Sequence, residues 1–500
     1  MTQGILPIDY AEVPRAGGVT ALAGLLPYLD LVQAAGLRRS LERHAPAARA
    51  QGWSESQLAV ALVLLNLAGG ESVDDIAVLE GDAGLGELVR AAEGHGLRGR
   101  ARRAQEGRFR RRRNRSLPSP SALRRYLESF HDAAEEERRE PGRAFIPAPT
   151  AALGGLGKVN AELLAFLQRR APQAQATLDM DATLVETQKR TALHSYEGTR
   201  AYQPLTSYWA EAGVVVHSEF RDGNVPAGYE QRRVLEEALE ALPPGVERVL
   251  LRSDTAGYQW ELLRYCAEGR HERFGVIGFA VGVDVTVAFK AAVAEVEEGE
   301  WRALRDGDGE ETGQQYAEVC FVPNALGFSH RGPDYRFVAV RERLRNPPLP
   351  GLEEGLPAVE LGDTGWYRIR GLVSNRLDLP GDELVRWYRA RCGKGEEVHS
   401  VLKTDLAGGR LPSGRFGANA AWWAHAVLAC NLHAALRTLA LGPAWAGKRM
   451  KAVRFALLAL PGRVVRHARR LLIQLSAGHP SCALLRSARR RILAVAHGPP

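Results

Sequence analysis

The chain has 500 residues, of which 45% are hydrophobic, so it can form two to four domains with substantial cores. Its net charge of +8 and its pI near 9.3 favour a polyanionic partner. Five scattered cysteines without a CxxC pair exclude a disulfide framework and indicate a reducing cytosol. The chain has no signal peptide and no apolar run of about 18 residues, so we expect neither export nor a membrane span.

The N-terminal region, residues 1–130, is predicted to be helical. Capping-box patterns mark helix starts at Ser54 and Ser72. Residues 58–80 form two segments joined at a glycine pair, a pattern typical of a DNA-reading helix-turn-helix. The same pattern is typical of two ordinary packed helices, and both interpretations remain open.

The strongest charge run of the chain, residues 96–118, follows these helices. Blocks of like charge repel, stay flexible and commonly contact nucleic acid, although a solvated insertion has the same composition. We expect a flexible segment whose arginines bind DNA phosphates. The candidate contacts are Arg110, Arg111, Arg112 and Arg113. Ser119 and Pro120 then open a helix, and residues 131–172 are expected to form linker helices.

Residues 175–186 read QATLDMDATLVE, in which apolar and polar side chains alternate. A period of two is typical of a half-buried strand, so Asp179 and Asp181 are predicted to share one face. Two further strand-like segments, 204–211 and 213–220, predict antiparallel neighbours of this strand.

The next segments complete a recognisable order of elements. A helical pattern at 227–242 precedes an apolar strand that ends at Asp254, and a helix at 258–267 precedes an apolar strand at 275–282. The order β β β α β α β, with its mixed sheet and helices, is that of an RNase H-like catalytic core over residues 173–283. Asp254 follows its strand at the end where α/β folds bind ligands, and an N-cap role is its alternative.

Residues 284–375 are too many for a loop within a compact domain. Strand-like patterns occur at 317–323, 335–342 and 365–374. We therefore predict a β-rich inserted subdomain that interrupts the catalytic core.

The second part of the core, residues 376–440, is expected to supply a third acid from a helix. Residues 382–406 predict two consecutive helices or one continuous helix. At about 100° per residue, Glu396 shares a polar face with Lys403, whereas Glu397 lies at the boundary of the apolar face. The geometry favours Glu396 slightly and leaves Glu397 as the alternative.

The C-terminal residues, 441–500, are expected to form a basic helical region. Before them, residues 420–436 are apolar nearly all round, as in a buried helix. Residues 463–472 predict a helix with a polar face of Arg and His, which could contact DNA or a second subunit, or remain solvated.

Carboxylates are the ligands that such a core would need. Mg²⁺ prefers oxygen ligands, and two ions about 3.5 to 4 Å apart stabilise the attacking and leaving oxygens of a displacement at phosphorus. Asp181, Asp254 and Glu396 are the expected ligands, and Asp179 and Glu397 are additional candidates. We expect Mg²⁺ as the cofactor and Mn²⁺ as a substitute.

The chain resembles the bacterial insertion-sequence transposases of DDE group 1, relatives of transposases with a YREK signature. The segments LDMDAT, RSDTAGY and YRARCGKGEEVHSVLKTDL carry the resemblance. It implies that Tyr388, Arg391 and Lys403 contact DNA phosphates, to which Arg and Lys are suited. The signature places three residues between Arg and Glu, whereas four separate Arg391 from Glu396. Counting back from Lys403 selects Glu396.

We therefore predict a transposase that cuts an insertion sequence at its terminal inverted repeats and joins the 3′ ends to target DNA. The resemblance implies double-stranded DNA as partner, a DNA-bound homodimer, no membrane, and a cytoplasmic, nucleoid-associated location in a bacterium. An RNase H-like nuclease or resolvase and a catalytically inactive DNA-binding protein are the alternatives.

Overall fold

The structure is a computed structural model of the chain. It describes residues 18–46, 52–111, 114–140, 142–322, 335–348, 356–361, 365–468 and 470–497. Two of the predicted DNA-contacting arginines, Arg112 and Arg113, lie outside the described residues.

A short strand and nine helices precede the central sheet. They are β1 (Val19–Thr20), α1 (Leu26–Ala34), α2 (Leu37–His44), α3 (Glu55–Ala68), α4 (Ile76–Gly81), α5 (Ala83–Glu93), α6 (Gly99–Arg111), α7 (Pro120–Glu128), α8 (Ala133–Glu137) and α9 (Ala151–Arg170) among the described residues. The predicted capping boxes at Ser54 and Ser72 are confirmed, and a cap of this kind contributes about 1 kcal/mol.

Helix α3 is a core helix, because its residues from Ser56 to Leu67 are all buried. Within the described part of the chain, no single helix is long and apolar enough to cross a membrane. Helix α3 and the following segment Val73–Gly81 meet that criterion together by length and composition, but they are bent by 98°.

Helix α6 lies where the sequence predicts a flexible segment, and this prediction is corrected for residues 99–111. Arg102 and Glu106 pair at 3.2 Å one turn apart on the exposed side. Phe109 is buried, with the guanidinium of Arg90 5.3 Å from its ring centre. Arginine favours helices, and one apolar anchor with a charge pair offsets repulsion within the run.

The first part of the core has the predicted order of elements. It comprises β2 (Gln175–Ala182), β3 (Val185–Glu186), β4 (Ala201–Tyr202), β5 (Leu205–Trp209), β6 (Val214–Glu219), α10 (Gln231–Ala241), β7 (Arg248–Ser253), α11 (Trp260–Ala267) and β8 (Gly278–Val283). The sheet order is β6-β5-β2-β7-β8, in which β2, β7 and β8 are parallel and β5 runs antiparallel to both its neighbours. The predicted RNase H-like fold is confirmed.

The insertion is β-rich, as predicted, but its strands extend the central sheet. It contains α12 (Val287–Ala294), β9 (Arg302–Arg305), β10 (Glu311–Val319), β11 (Arg336–Arg343), β12 (Ala358–Leu361) and β13 (Gly365–Ser374). The end of β13, Gly371–Ser374, pairs antiparallel with β8, and β11, β10 and β9 continue from it. Without β13, the apolar strand β8 would present an unpaired edge.

Two short helices and one long helix follow the insertion. They are α13 (Gly381–Arg389), α14 (Lys394–Ser400) and α15 (Phe416–Leu436). The segment predicted as helical through residue 406 continues beyond α14 as a π-helical turn, Val401–Asp405. Gly393 separates α13 from α14 with a positive φ of 81°, which favours glycine. Helix α15 is buried nearly all round, as predicted.

The C-terminal region is only partly helical, and the prediction for residues 463–472 is wrong. The chain forms α16 (Met450–Val453), β14 (Gly462–His467), β15 (Arg470–Leu475) and α17 (Ser481–His497). Strand β14 pairs with β15 and with β1, so a three-stranded sheet replaces the predicted helix. Alternate burial along β15 and the β-branched Val464 and Val465 fit a strand.

Candidate active site

The two predicted aspartates lie at the ends of neighbouring strands. Strands β2 and β7 pair in parallel with Met180 opposite Ser253, so Asp181 and Asp254 occupy the next position on each. The carboxylate of Asp254 accepts a hydrogen bond of 3.0 Å from the backbone N–H of Ala256 and caps a short 3₁₀ turn. The N-cap role considered for Asp254 is therefore present at the same place as the second carboxylate.

The pKa of Asp181 is raised to about 6, first by burial and then by the negative charge of Asp254. The side chain of Asp181 is 25% exposed. Positive charge on Arg391 acts in the opposite direction on the same pKa. Two partly buried carboxylates that repel each other are suited to a hard divalent cation, which takes oxygen ligands and neutralises both.

Asp179 is paired with a buried arginine. Its two carboxylate oxygens accept hydrogen bonds of 2.6 and 2.8 Å from the Nε and Nη2 of Arg252, and both side chains are 4% exposed. Arg252 also donates a hydrogen bond of 2.7 Å to the backbone oxygen of Trp387 in α13. This bidentate pair occupies Asp179 and links the acid-bearing strands to the helix that carries Tyr388.

Tyr388 and Arg391 face the aspartates from the end of α13. The guanidinium of Arg391 lies 5.4 Å from the ring centre of Tyr388. Its positive charge acts on the aspartates Asp181 and Asp254, and burial raises the pKa of Tyr388. A Cβ at Gly282 would lie 3.0 Å from the Tyr388 hydroxyl, so glycine leaves room for it there. A phosphate above the carboxylates would have both a cation and a hydroxyl donor nearby.

Helix α14 begins against Asp181. A Cβ at Gly395 would lie 4.0 Å from the Oδ2 of Asp181. Glu396 is exposed and Glu397 is half-buried. Burial is the main cause that raises the pKa of Tyr208, and the charge of Glu397 adds to it. Among the described residues, no group of three or more His, Cys, Asp and Glu side chains is close enough to hold a metal ion. The structure thus brings two of the three predicted acids together and leaves the third apart.

His399 contacts the site from the same helix. Its Nδ1 lies 3.7 Å from the Oδ2 of Asp181. Burial, followed by the positive charges of Lys403 and Arg391, lowers the pKa of His399 to about 4. At neutral pH the contact therefore joins a neutral imidazole to Asp181 and is not an ion pair.

The remaining predicted cations lie at different distances from the acids. Lys403 donates a hydrogen bond of 3.3 Å from Nζ to the backbone oxygen of Leu184, just past β2. Arg110 is exposed on α6, which also contains Arg111. Lys403 is therefore beside the carboxylate strand, whereas no described contact joins Arg110 to it.

Two residues of the site, Arg252 and His399, were not predicted from the sequence. Arg252 stands two positions before Asp254, on the same face of its strand. His399 stands three positions after Glu396, on the polar face of its helix. These spacings could have marked both as candidates, but the contact of Arg252 with Asp179 depends on the register of β2 and β7.

The sheet order and the carboxylate pair define an RNase H-like polynucleotidyl transferase. The chain belongs to the family described as transposase DDE domain group 1, whose model matches residues 13–325 and 360–497. The protein is therefore a DNA transposase.

Among solved structures, the chain is similar to a piggyBac transposase synaptic complex with hairpin DNA, determined by cryo-EM. The two chains are 10% identical with a TM-score of 0.43, over 87% of this chain and 80% of the other. No curated protein sequence matches this chain.

Proposed function

We propose that this transposase cuts the DNA of an insertion sequence at its terminal inverted repeats and joins the freed 3′ ends to target DNA. The observation that carries the proposal is the pair Asp181 and Asp254, whose charges interact at the ends of β2 and β7. Carboxylates in this position fit a divalent cation because each raises the cost of ionising the other, and a positive charge between them offsets that cost.

Asp181 and Asp254 would hold Mg²⁺, with Mn²⁺ as a substitute, and one glutamate of α14 would complete the ligand set. Bound as a pair, such ions supply positive charge to the attacking and leaving oxygens. Glu396 is our choice for the third acid, because it follows Gly395, which lies against Asp181. An exposed carboxylate at the start of a short helix could reach the site by a small movement of α14.

The other residues of the site would orient the DNA. Arg391 and Tyr388 would contact the phosphate next to the scissile bond, and Lys403 would contact a phosphate further along the strand. His399 would keep the carboxylate of Asp181 in place without adding charge. Positioning and electrostatic stabilisation account for the rate in reactions of this kind, so no side-chain nucleophile is needed.

The proposal extends to the assembly and the place of action. Two DNA ends must be brought together before transfer, so we propose a homodimer on double-stranded DNA. We propose that it acts on the nucleoid in the cytoplasm of a bacterium. Exposed Arg110 would add salt-dependent affinity for phosphates away from the active site.

The test is cleavage and joining of DNA that carries the repeats flanking the gene, with Mg²⁺, with Mn²⁺ and with a chelator. We expect metal-dependent cutting at the repeat ends, followed by strand transfer. Asp181→Asn, Asp254→Asn and Glu396→Gln should each lower the rate at least about a thousandfold, the scale of losing a preorganised electrostatic group. Glu397→Gln, the matched neighbour, should retain most activity.

The other outcomes distinguish the alternatives. Cutting without joining would indicate a nuclease or resolvase. Binding of the repeats by the wild type without cutting in either metal would indicate an inactive DNA-binding protein. Loss of activity in Glu397→Gln, with Glu396→Gln active, would assign the third acid to Glu397.

A further inference from the structure

Positive charge is concentrated at the C-terminal end of this chain. Residues 406–500 contain 15 Arg and Lys side chains and no Asp or Glu. The preceding 405 residues hold the other 51 basic and all 58 acidic side chains, so they are net negative. The C-terminal region, like the Arg-rich segment 96–118, would therefore attract a polyanion.

Part of this basic surface, residues 448–455, contacts α14 and the π-helical turn that follows it. We call it the basic platform. Arg449 donates a hydrogen bond of 2.9 Å from Nη2 to the Oγ of Ser400, the residue after His399. Arg449 and Lys451 each lie 3.4 Å from the Oδ1 of Asp405, whose side chain is fully buried. The platform is thus held against the end of α14 and the π-helical turn that follows it.

A second set of contacts fixes the platform to α3. Arg454 donates hydrogen bonds of 2.7 Å to the backbone oxygen of Asp405 and of 3.0 Å to that of Leu67. Met450 and Val453 are buried beneath it. The platform therefore connects the π-helical turn after α14 to α3.

The outer face of the platform combines cations with an aromatic ring. Lys448 lies just before α16, Lys451 lies within it, and Phe455 lies in the π-helical turn Arg454–Leu458 that follows, and all three side chains are exposed. Phe455 is 87% exposed, the highest value among the exposed large hydrophobic side chains that the structure describes. The ring therefore gains little of the stabilisation that burial of a phenylalanine ordinarily gives.

We propose that the basic platform binds duplex DNA flanking the cleavage site. Lys448 and Lys451 contact backbone phosphates, and the ring of Phe455 inserts against a base or sugar of the same duplex. Aromatic rings and cations in alternation are the usual components of a nucleic-acid surface. This inference rests on the proposed function for the identity of the DNA, and it assigns a surface outside the active site.

A second copy of the chain is a poorer occupant of the platform. A two-fold interface centred on the platform would bring Lys448 and Lys451 of one copy towards the same residues of the other. Residues 406–500 hold no carboxylate, and the one carboxylate beside the platform, that of Asp405, is already shared by Arg449 and Lys451. DNA compensates them directly, because every nucleotide carries a phosphate.

The experiment measures binding of the full-length protein to a fluorescent duplex that carries a terminal repeat and its flank, at several salt concentrations. Phe455→Ala should weaken binding about tenfold without changing the salt dependence, because a stacked ring carries no charge. Phe455→Trp should restore affinity. The double variant Lys448→Ala and Lys451→Ala should lower the slope of log K against log salt by about 1.8, or about 0.9 for each phosphate contact.

Matched controls come from other exposed positions. Val287→Ala changes an apolar side chain on α12 that is 74% exposed, and Lys158→Ala changes an exposed lysine on α9. Both should bind as the wild type does. The duplex lacking the flank should bind the platform variants and the wild type with equal affinity.

Two results would overturn the platform proposal while leaving the proposed function intact. One is that the wild type binds and cleaves the repeat DNA while the platform variants have the same affinity and the same salt slope as the wild type. The other is a change in sedimenting mass for Phe455→Ala without DNA, which would make the platform a contact between copies. If the wild type fails to bind the repeat duplex at all, the proposed function itself fails.

Discussion

The central sheet and the long helix α15 both bury polar side chains, but they treat charge in opposite ways. The sheet keeps charge inside: Asp179 and Arg252 form a bidentate pair, and Asp181 and Asp254 lie side by side. Helix α15 instead buries neutral polar groups, which hydrogen-bond to α1 and α9.

The neutral groups of α15 have specific partners. His433 Nδ1 lies 2.8 Å from the hydroxyl of Tyr28, and Asn431 donates a hydrogen bond of 2.7 Å to the side chain of Asn160. Asn431 also bonds both backbone groups of Val215 in β6. The comparison teaches that the strands carrying the catalytic acids hold buried charges against one another, while neutral polar groups on α15 fix the helices around them.

The largest effect on stability is expected from breaking the buried ion pair. Arg252→Met leaves the carboxylate of Asp179 buried without its partner, and we expect a loss of about 3 to 5 kcal/mol in the free energy of unfolding. Urea denaturation measures it. Arg302→Met, an exposed arginine on β9, is the matched control and should change little.

The double variant Asp179→Leu and Arg252→Met sharpens the same point. Removing both charges should recover much of the stability, because an apolar pair of similar volume carries no desolvation cost. A loss below about 1 kcal/mol in Arg252→Met would mean that the sheet does not depend on buried charge there, and the contrast with α15 would disappear.

A smaller, pH-dependent effect is expected from α15. Burial lowers the pKa of His433 to about 3 and that of His425 to about 4, so both stay neutral in the folded protein. In the unfolded chain they titrate near 6.5. Their contribution to the free energy of unfolding is complete above pH 6.5. It is lost as the pH falls below 6.5, at about 1.4 kcal/mol per pH unit for each histidine.

The difference between the wild type and His433→Gln isolates this effect. The gap in their free energies of unfolding should shift by about 1.4 kcal/mol per pH unit between pH 6 and 4, in favour of the variant. His467→Gln, at an exposed position of β14, should give a curve parallel to the wild type. A constant gap for His433→Gln would show that the imidazole binds a proton as readily in the folded protein as in the unfolded chain.

Local patterns predicted much of the fold, and long-range pairing accounts for what they missed. The strand that carries Asp181 and the capped start of α3 depend on residues close together in the sequence. The alternation of apolar and polar residues and the capping-box pattern therefore predicted them. The junction of β13 with β8 joins residues about 90 positions apart, and no local pattern encodes it. The Arg and Leu residues of β14 and β15 also suit a helix, and the pairing of β14 with β15 and β1, which no local pattern encodes, selects strands.

The candidate site divides in the same way. The positions of Asp181 and Asp254 followed from strand ends, which the sequence marks clearly. Arg252 became visible as a partner of Asp179 only through the register of β2 and β7. The orientation of α14 depends on the break at Gly393 and on the π-helical turn after Ser400, so the choice between the two glutamates stayed a prediction.

The central claim is that Asp181 and Asp254 bind the same divalent cations directly. The most direct measurement is DNA cleavage by Asp181→Cys and Asp254→Cys in Mg²⁺ and in Mn²⁺, with Asp181→Ala and Asp254→Ala as controls. A thiolate is a poor ligand for Mg²⁺ and a better one for Mn²⁺. We predict that both cysteine variants are inactive in Mg²⁺ and recover in Mn²⁺, while the alanine variants recover in neither. Cleavage by the cysteine variants in Mg²⁺ at the wild-type rate would contradict the claim.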